Sequence, residues 1–321
     1  MIKYILKSVI QSVVTLLIVL FIVFILLRSM PIEGYFSNYE RMTATQIRIG
    51  LTNLGLDKPI HEQFCLYLWN VLHLNFGVSQ RYRVNADIGE IVRDKLSVSL
   101  QLGFFAALFG VSLGIFMGFY MARSSRKRQS VPIGDRLGIA LISFVDAVPS
   151  SVCILFIQIF GTEIINMITP LPTLFRYNNP LTWVLPVFSL SFTIMIWFAI
   201  WLRRYMIDES TESYVKFAYV KGLPEGKISG HILRNAIVPL SQGIPISILS
   251  ILVGSIYIES RYSIPGLGCL LVDAIKCRDN MLVQALVLLY SAINIIGIQL
   301  GDVTMLLLDP RIRYDSTKDR R

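Results

Sequence analysis

Charge is scarce in this sequence: Asp, Glu, Lys and Arg are 16% of its 321 residues, where an average soluble domain carries about 25%. With a mean hydropathy of +0.60, that shortage excludes an ordinary water-soluble globule. Histidine and cysteine are scarce too, at 3 and 4 residues. Cys65, Cys153, Cys269 and Cys277 are scattered without CxxC or Cys/His ligand spacing, so nothing points to a bound metal. Cys269 and Cys277 share one loop, which is compatible with a disulfide or with two free thiols.

Catalytic signatures are missing as well. There is no dinucleotide fingerprint, no internal repeat and no low-complexity tract. The run from Gly222 to Lys227 has the look of a phosphate loop. Only three residues separate its glycines, however, Ile228 stands where Ser or Thr would meet magnesium, and no strand precedes it. His61-Glu62 begins like a zinc-protease helix, but Cys65 occupies the place of the second histidine. The chain is therefore expected to need no cofactor and to hydrolyse no ATP itself. The missing repeat argues against a self-sufficient secondary transporter, and the lack of paired acids at one depth argues against an intramembrane enzyme.

Six long apolar runs dominate what is present, at 8–28, 97–122, 137–160, 181–202, 238–258 and 282–307. Each is near or above the ~20 residues a spanning helix needs. Lipid offers the backbone no hydrogen-bond partners, so an all-α bundle of six transmembrane helices is expected. Lys3 and Lys7 precede the first run as in a signal peptide. That run is too long and lacks a small-residue cleavage site, so it reads as a retained span. The N-terminus, 123–136, 203–236 and the stretch from Asp309 onward together carry 18 Lys and Arg with 8 acids; the opposite-side segments carry 12 with 11. Positive charge in short loops marks the cytoplasmic face, which puts both termini there. Topology and the anionic inner leaflet explain the basic excess, so no nucleic-acid partner is expected.

The segment 31–94 is the only sizeable part outside the membrane, and helical spacing from Phe64 through Leu74 marks an amphipathic helix on the outer surface or over the bundle mouth. The second run carries Gly103, and then Gly110, Gly114 and Gly118 on one helix face, a pattern that allows close helix packing. Two acids lie inside runs. Asp302, near the cytoplasmic end, suits an anchor reaching water, Arg311 or Arg313; Asp146 is deeper, and Pro149 beyond it predicts a kink. Asp146 suits either a water-filled path or a polar neighbour on a partner subunit.

Residues 214–239 are too polar to enter a bilayer and too patterned for slack linker. Tyr214 to Val220 has helical spacing, Gly222 tolerates a left-handed cap, and Pro224 can open a second helix, Glu225 to Leu233, ending near Asn235. Pro239 then marks the start of the next apolar run. Two short helices at a glycine turn form a knob suited to a partner's groove.

Four segments now carry a resemblance: Leu54-Gly55-Leu56-Asp57-Lys58-Pro59, the 214–239 knob, Ile264-Pro265-Gly266-Leu267-Gly268, and Asp309-Pro310-Arg311-Ile312-Arg313-Tyr314. In this order, the chain resembles the permease subunit of bacterial ATP-binding-cassette importers of the oligopeptide, dipeptide and nickel branch, over essentially its whole length. The resemblance implies the type I importer permease fold in a bacterial plasma membrane. Residues 1–30 would be the N-terminal end and first span, 31–94 the outer loop, 95–309 a five-helix core with the coupling loop 203–236, and 310–321 a cytoplasmic tail. It implies a second homologous permease, two ATPase subunits that dock on the knob, and an outer substrate-binding protein. The cargo would be a peptide, with nickel or another small solute as the alternative. On that resemblance the ATPase-coupling residues are Tyr214, Lys216, Phe217, Ala218, Lys221, Gly222, Leu223, Arg234, Asn235 and Pro239, and Asp146 is a pathway residue. The family's EAA signature departs here to Lys216-Phe217-Ala218, and the proline-rich end of its first span to Met30-Pro31-Ile32-Glu33.

Overall fold

The computed structural model describes residues 2–125, 133–169, 174–254 and 256–308; the closing motif from Asp309 to Tyr314, with Arg311 and Arg313, lies outside them. The described residues form thirteen α-helices and no strand. In chain order these are α1 (Ile2–Arg28), α2 (Ala44–Asn53), α3 (Ile60–Leu72), α4 (Ile88–Ser125), α5 (Ile133–Ala147), α6 (Ser150–Asn166) and α7 (Val184–Ser210). There follow α8 (Ser213–Val220), α9 (Glu225–Ser241), α10 (Gly243–Gly254), α11 (Ile256–Tyr262), α12 (Leu267–Lys276) and α13 (Asn280–Leu308). By length and composition, four segments can cross a bilayer: Ile10–Arg28, Ile88–Ser125, Pro180–Ser210 and Asn280–Met305. The bent pairs α5/α6, at 103°, and α9/α10, at 46°, bring the total to six if each is one span.

The centre of the fold is the seam between α4 and α7. A Cβ added at Gly110 would lie 2.7 Å from the Ser191 carbonyl oxygen, at Gly114 2.7 Å from that of Met195, and at Gly118 2.7 Å from that of Ala199. Each step of four on α4 meets a step of four on α7, so the two helices run parallel with their backbones in near contact. The glycine repeat is thus a packing device. Parallel neighbours require the intervening chain to travel back along the pair. It does: Asp135 at the start of α5 accepts both Nε (2.5 Å) and Nη2 (2.8 Å) of Arg203 near the end of α7, whereas Gly161 on α6 packs under Leu185 at the start of α7. Helices α1 and α13 are antiparallel. Gln299 of α13 donates to Ser12 of α1, while Leu27 and Leu282 share one apolar cluster at the other end.

Three expectations need correction. The run 137–160 is not one kinked helix but two, because Pro149 has no N–H and adopts φ −51°, ψ 130°, an extended conformation that also forces Val148 out of the helix. The second knob helix does not end near Asn235. It runs to Ser241 with Pro239 inside it, since the proline removes only one backbone bond while Ala236 and Leu240 are buried; the bend comes three residues later, at Gln242. There Gln242 donates to Asp302 at 2.7 Å, so the Asp302 anchor is made to the break between α9 and α10. Finally, α4 begins at Ile88, well before its apolar run. At 1.5 Å per residue its 38 residues reach about 57 Å, longer than the ~30 Å of hydrocarbon.

A Gly114→Val side chain would meet Phe198 Cβ at 2.6 Å as well as the Met195 carbonyl. We expect it to cost about 1–3 kcal/mol as overpacking and to lower the thermal midpoint of the detergent-solubilised protein by several degrees. Gly226→Ala, where nothing lies within 4 Å, should leave the midpoint unchanged or raise it.

Candidate functional site

The knob is built as a rigid inner face and a bare outer one. Helix α8 ends in a Schellman motif: Gly222 adopts φ +69°, its N–H donates to Tyr219 O at 3.0 Å, and Leu223 N–H donates to Ala218 O at 3.2 Å. Ala218 and Leu223 pack inward beside buried Val215, Ile228, Ile232 and Leu202, which ties α8 and α9 onto the last turns of α7. A polar tie adds to this. Asn235 Nδ2 donates to Glu209 Oε1 at 2.8 Å, and the Tyr214 phenol lies beside this pair. Partial burial, with Glu209 beside it, pushes that phenol up to about 12, so it stays a neutral donor.

Of the sequence-derived site residues, Ala218, Leu223 and Asn235 therefore hold the knob in place, with Tyr214 beside the Asn235–Glu209 pair. Phe217 (59% exposed), Lys216, Lys221 and Arg234 face outward, with Val220 at 84%, and Lys221 Nζ sits 4.7 Å over the Phe217 ring. Gly222 lies at the tip, where an added Cβ would have no atom within 4 Å, so only its left-handed backbone demands glycine. Pro239 is about four turns along α9 from the tip and belongs to the bundle. Glu209 escaped the sequence reading because its partner Asn235 is 26 residues away; an acid ending a span just before a basic knob was the available signal.

Asp146 lies apart from the knob, at the α5/α6 break. It lines a cavity of about 320 Å³ together with Pro149, Ser150, Cys153, Phe192 and Thr193. At the proline break Val145 O accepts from Val148 N–H at 3.1 Å, and Cys153 Sγ approaches the carbonyls of Val145 and Val148 at 3.9 and 4.0 Å. The Asp146 carboxylate and the hydroxyls of Ser150 and Thr193 can together hold water at this break.

Two buried carboxylates organise the opposite end. Glu259, on α11, has 0% exposure; it accepts from Ser99 Oγ at 2.8 Å, Gly268 N at 2.7 Å and Cys269 N at 3.1 Å. It thereby caps the start of α12. Gly266 and Gly268 are small because Glu259 and the Ile256 backbone fill the space where Cβ atoms would stand. Asp279 accepts from Ser79 Oγ (2.7 Å) and from the backbone N–H groups of Gln80, Arg81 and Tyr82 (2.9–3.1 Å), and caps α13 through Leu282 N at 3.2 Å. Cys269 and Cys277 are free thiols, each turned to its own helix, and burial pushes both up from the usual thiol range. Among the described residues no group of three or more His, Cys, Asp or Glu could hold a metal ion.

A bundle of long apolar helices with a rigidly seated amphipathic knob defines a multi-span membrane permease. The chain belongs to the family of binding-protein-dependent transport system inner membrane components, whose main part matches residues 110–314 and whose N-terminal part matches residues 1–85. It is 30% identical to the dipeptide transport system permease protein DppB of Lactococcus lactis subsp. cremoris, over 98% of this chain and 100% of that one. It is 28% identical to the oligopeptide permease protein OppB of Haemophilus influenzae (98% and 100%) and 32% identical to the glutathione permease protein GsiC of Salmonella choleraesuis (81% and 82%). Permeases of this family sit in the cytoplasmic membrane and work with ATPase and substrate-binding partners.

Replacing Glu259 by Ala would strand one hydroxyl and two backbone donors in a closed site, at about 1–3 kcal/mol for each group left unpaired. We expect Glu259→Ala to fail to accumulate as folded protein. Glu259→Gln, which keeps acceptor oxygen, should be recovered with an intermediate thermal midpoint.

Proposed function

We propose that this chain forms half of the translocation pathway of an ATP-driven peptide importer, moving its substrate by alternating access. The observation that carries the reading is the knob itself: an exposed Phe217–Val220–Lys221 tip fixed to the end of α7. A partner gripping that tip moves α7, and α7 shares its backbone seam with α4. Closure of two ATPase subunits would thus bias the whole bundle between two states, which is what coupling physically requires. A second permease supplies the other half of the pathway, and an outer binding protein delivers the cargo. The dipeptide, oligopeptide and glutathione permeases among its relatives support a peptide as that cargo.

The chain crosses the membrane six times in this reading, each bent pair counting once, with both termini and the knob in the cytoplasm. The parallel run of α4 and α7 supports it, because α5 and α6 must together make one crossing, and so does the concentration of Lys and Arg in the segments on the knob's side. Asp146 lines the pathway at the proline break.

Purified with its partners, the wild-type chain should bring down ATPase subunits. Val220→Asp should reduce that recovery about tenfold or more, as for loss of an interface hot spot. Gly222→Val, strained at φ +69°, should uncouple ATP hydrolysis from uptake of labelled di- and oligopeptides by proteoliposomes, while Gly222→Asn, which tolerates that backbone, retains most of it. Wild-type uptake in Gly222→Val would refute the coupling role. Asp146→Asn should assemble normally and transport several-fold more slowly; unchanged transport would remove Asp146 from the path.

A further inference from the structure

Helix α3 carries two apolar faces, and only one is used inside the chain. Phe64 and Tyr67 pack on α1: Phe64 lies 5.0 Å from Phe21 and 5.4 Å from Phe24 between ring centroids, and Tyr67 stacks on Phe24 at 5.6 Å. On the other side Leu66, Trp69 (62% exposed), Leu72 (77%) and Leu74 (78%) project away from the protein. From Cys65 to Leu74 no exposed residue is charged; the charges lie before the helix and in its first turn, at Lys58 and Glu62.

The depth of the α1 contact decides what covers that face. Phe21 and Phe24 lie inside the apolar segment Ile10–Arg28. At 1.5 Å per residue they are about 10 and 6 Å below Arg28, where that segment ends. A helix seated on those two rings cannot lie free in water above the membrane. It lies level with the boundary between headgroups and acyl chains, at the depth where amphipathic helices bury an apolar face by about 5–10 Å. Exposed Ile18, Ile22, Ile25 and Leu26 continue the apolar surface down α1. Trp69 is the side chain such a boundary favours, with its ring 4.5 Å from His73 on the same face.

We propose that α3 is an in-plane membrane helix: Leu66, Trp69 and Leu72 are immersed in the acyl region of the leaflet at the Arg28 end of α1, and phospholipid is the partner of this face. In the orientation proposed above that leaflet is the outer one. The inference rests on α1 spanning the bilayer, and it makes the 31–94 segment a membrane-anchored platform beside the bundle.

The test uses the assembled transporter in phosphatidylethanolamine/phosphatidylglycerol liposomes. Nitroxide labels are placed singly at Leu66→Cys, Trp69→Cys and Leu72→Cys with the four native cysteines replaced by serine. Ile22→Cys on α1 serves as the hydrocarbon reference and Glu62→Cys as the aqueous one. The three α3 sites should relax several-fold faster with oxygen than with a water-soluble nickel chelate, as Ile22 does. Relaxation by the chelate, as at Glu62, would put the face in water and overturn the proposal. Immobile labels shielded from both reagents would mean a protein partner covers it, and would overturn it equally. Water access at Ile22 itself would show that α1 does not span, so that the topology fails together with this inference. With the native chain, quenching of Trp69 by brominated lipid, taken as the difference from Trp69→Phe, provides the same answer without a label.

Discussion

Backbone contact between α4 and α7 is the constraint on which the rest of the molecule depends. Lipid provides no hydrophobic drive for one apolar helix to join another, so the association rests on close packing, and close packing needs residues without side chains. Gly110, Gly114 and Gly118 provide that surface at the one spacing that keeps them on a single helix face. Because the pair is parallel, the connection must run its full length. The break at Pro149, the Arg203–Asp135 pair and the packing of Gly161 under Leu185 are what that return looks like in detail.

The same seam determines what the knob can do. A docking element on a flexible stalk would bind a partner and transmit nothing. Here Val215, Ile228 and Ile232 are buried against Leu202 and Met206, and Asn235 on α9 is bonded to Glu209 at the end of α7. In the function proposed above, force applied at Val220 would reach α7 without an intervening soft joint. The departure from the family signature at Lys216 becomes intelligible on these terms. Lys216 is exposed, and the carboxylate that ties this region together is Glu209, on the preceding helix.

At the other end the economy is reversed, with acids buried and fully bonded. Glu259 and Asp279 each gather three or more donors, including a hydroxyl from a segment distant in sequence, and each caps the helix that follows. A buried carboxylate is costly without such partners, so the turn at residues 264–268 and the loop at 79–82 are held in one arrangement. With α3 seated on α1, these contacts make the end of the bundle opposite the knob a stiff platform rather than a set of loose loops.

Much of this was legible in the residues. Apolar runs of about 20 residues announce spans because lipid leaves the backbone no alternative to helix, the four-residue glycine repeat announces close packing, and Gly222 between two patterned stretches announces a turn. Each signal is local, contained within a few helical turns. What could not be read was settled by distance. Glu259 meets Ser99 across 160 residues and Asp279 meets Ser79 across 200; nothing near either acid predicts its partner. Proline was ambiguous for the same reason, since Pro149 divides a helix and Pro239 does not, and the difference lies in the burial of Ala236 and Leu240 around the second. The sequence by itself determined that this chain is an all-helical membrane protein with an amphipathic knob between spans, because periodicity and hydropathy are properties of neighbouring residues. Only the tertiary structure decided which helices run parallel, where the spans break and which acids hold the ends, because those depend on contacts that exist only once distant segments have packed.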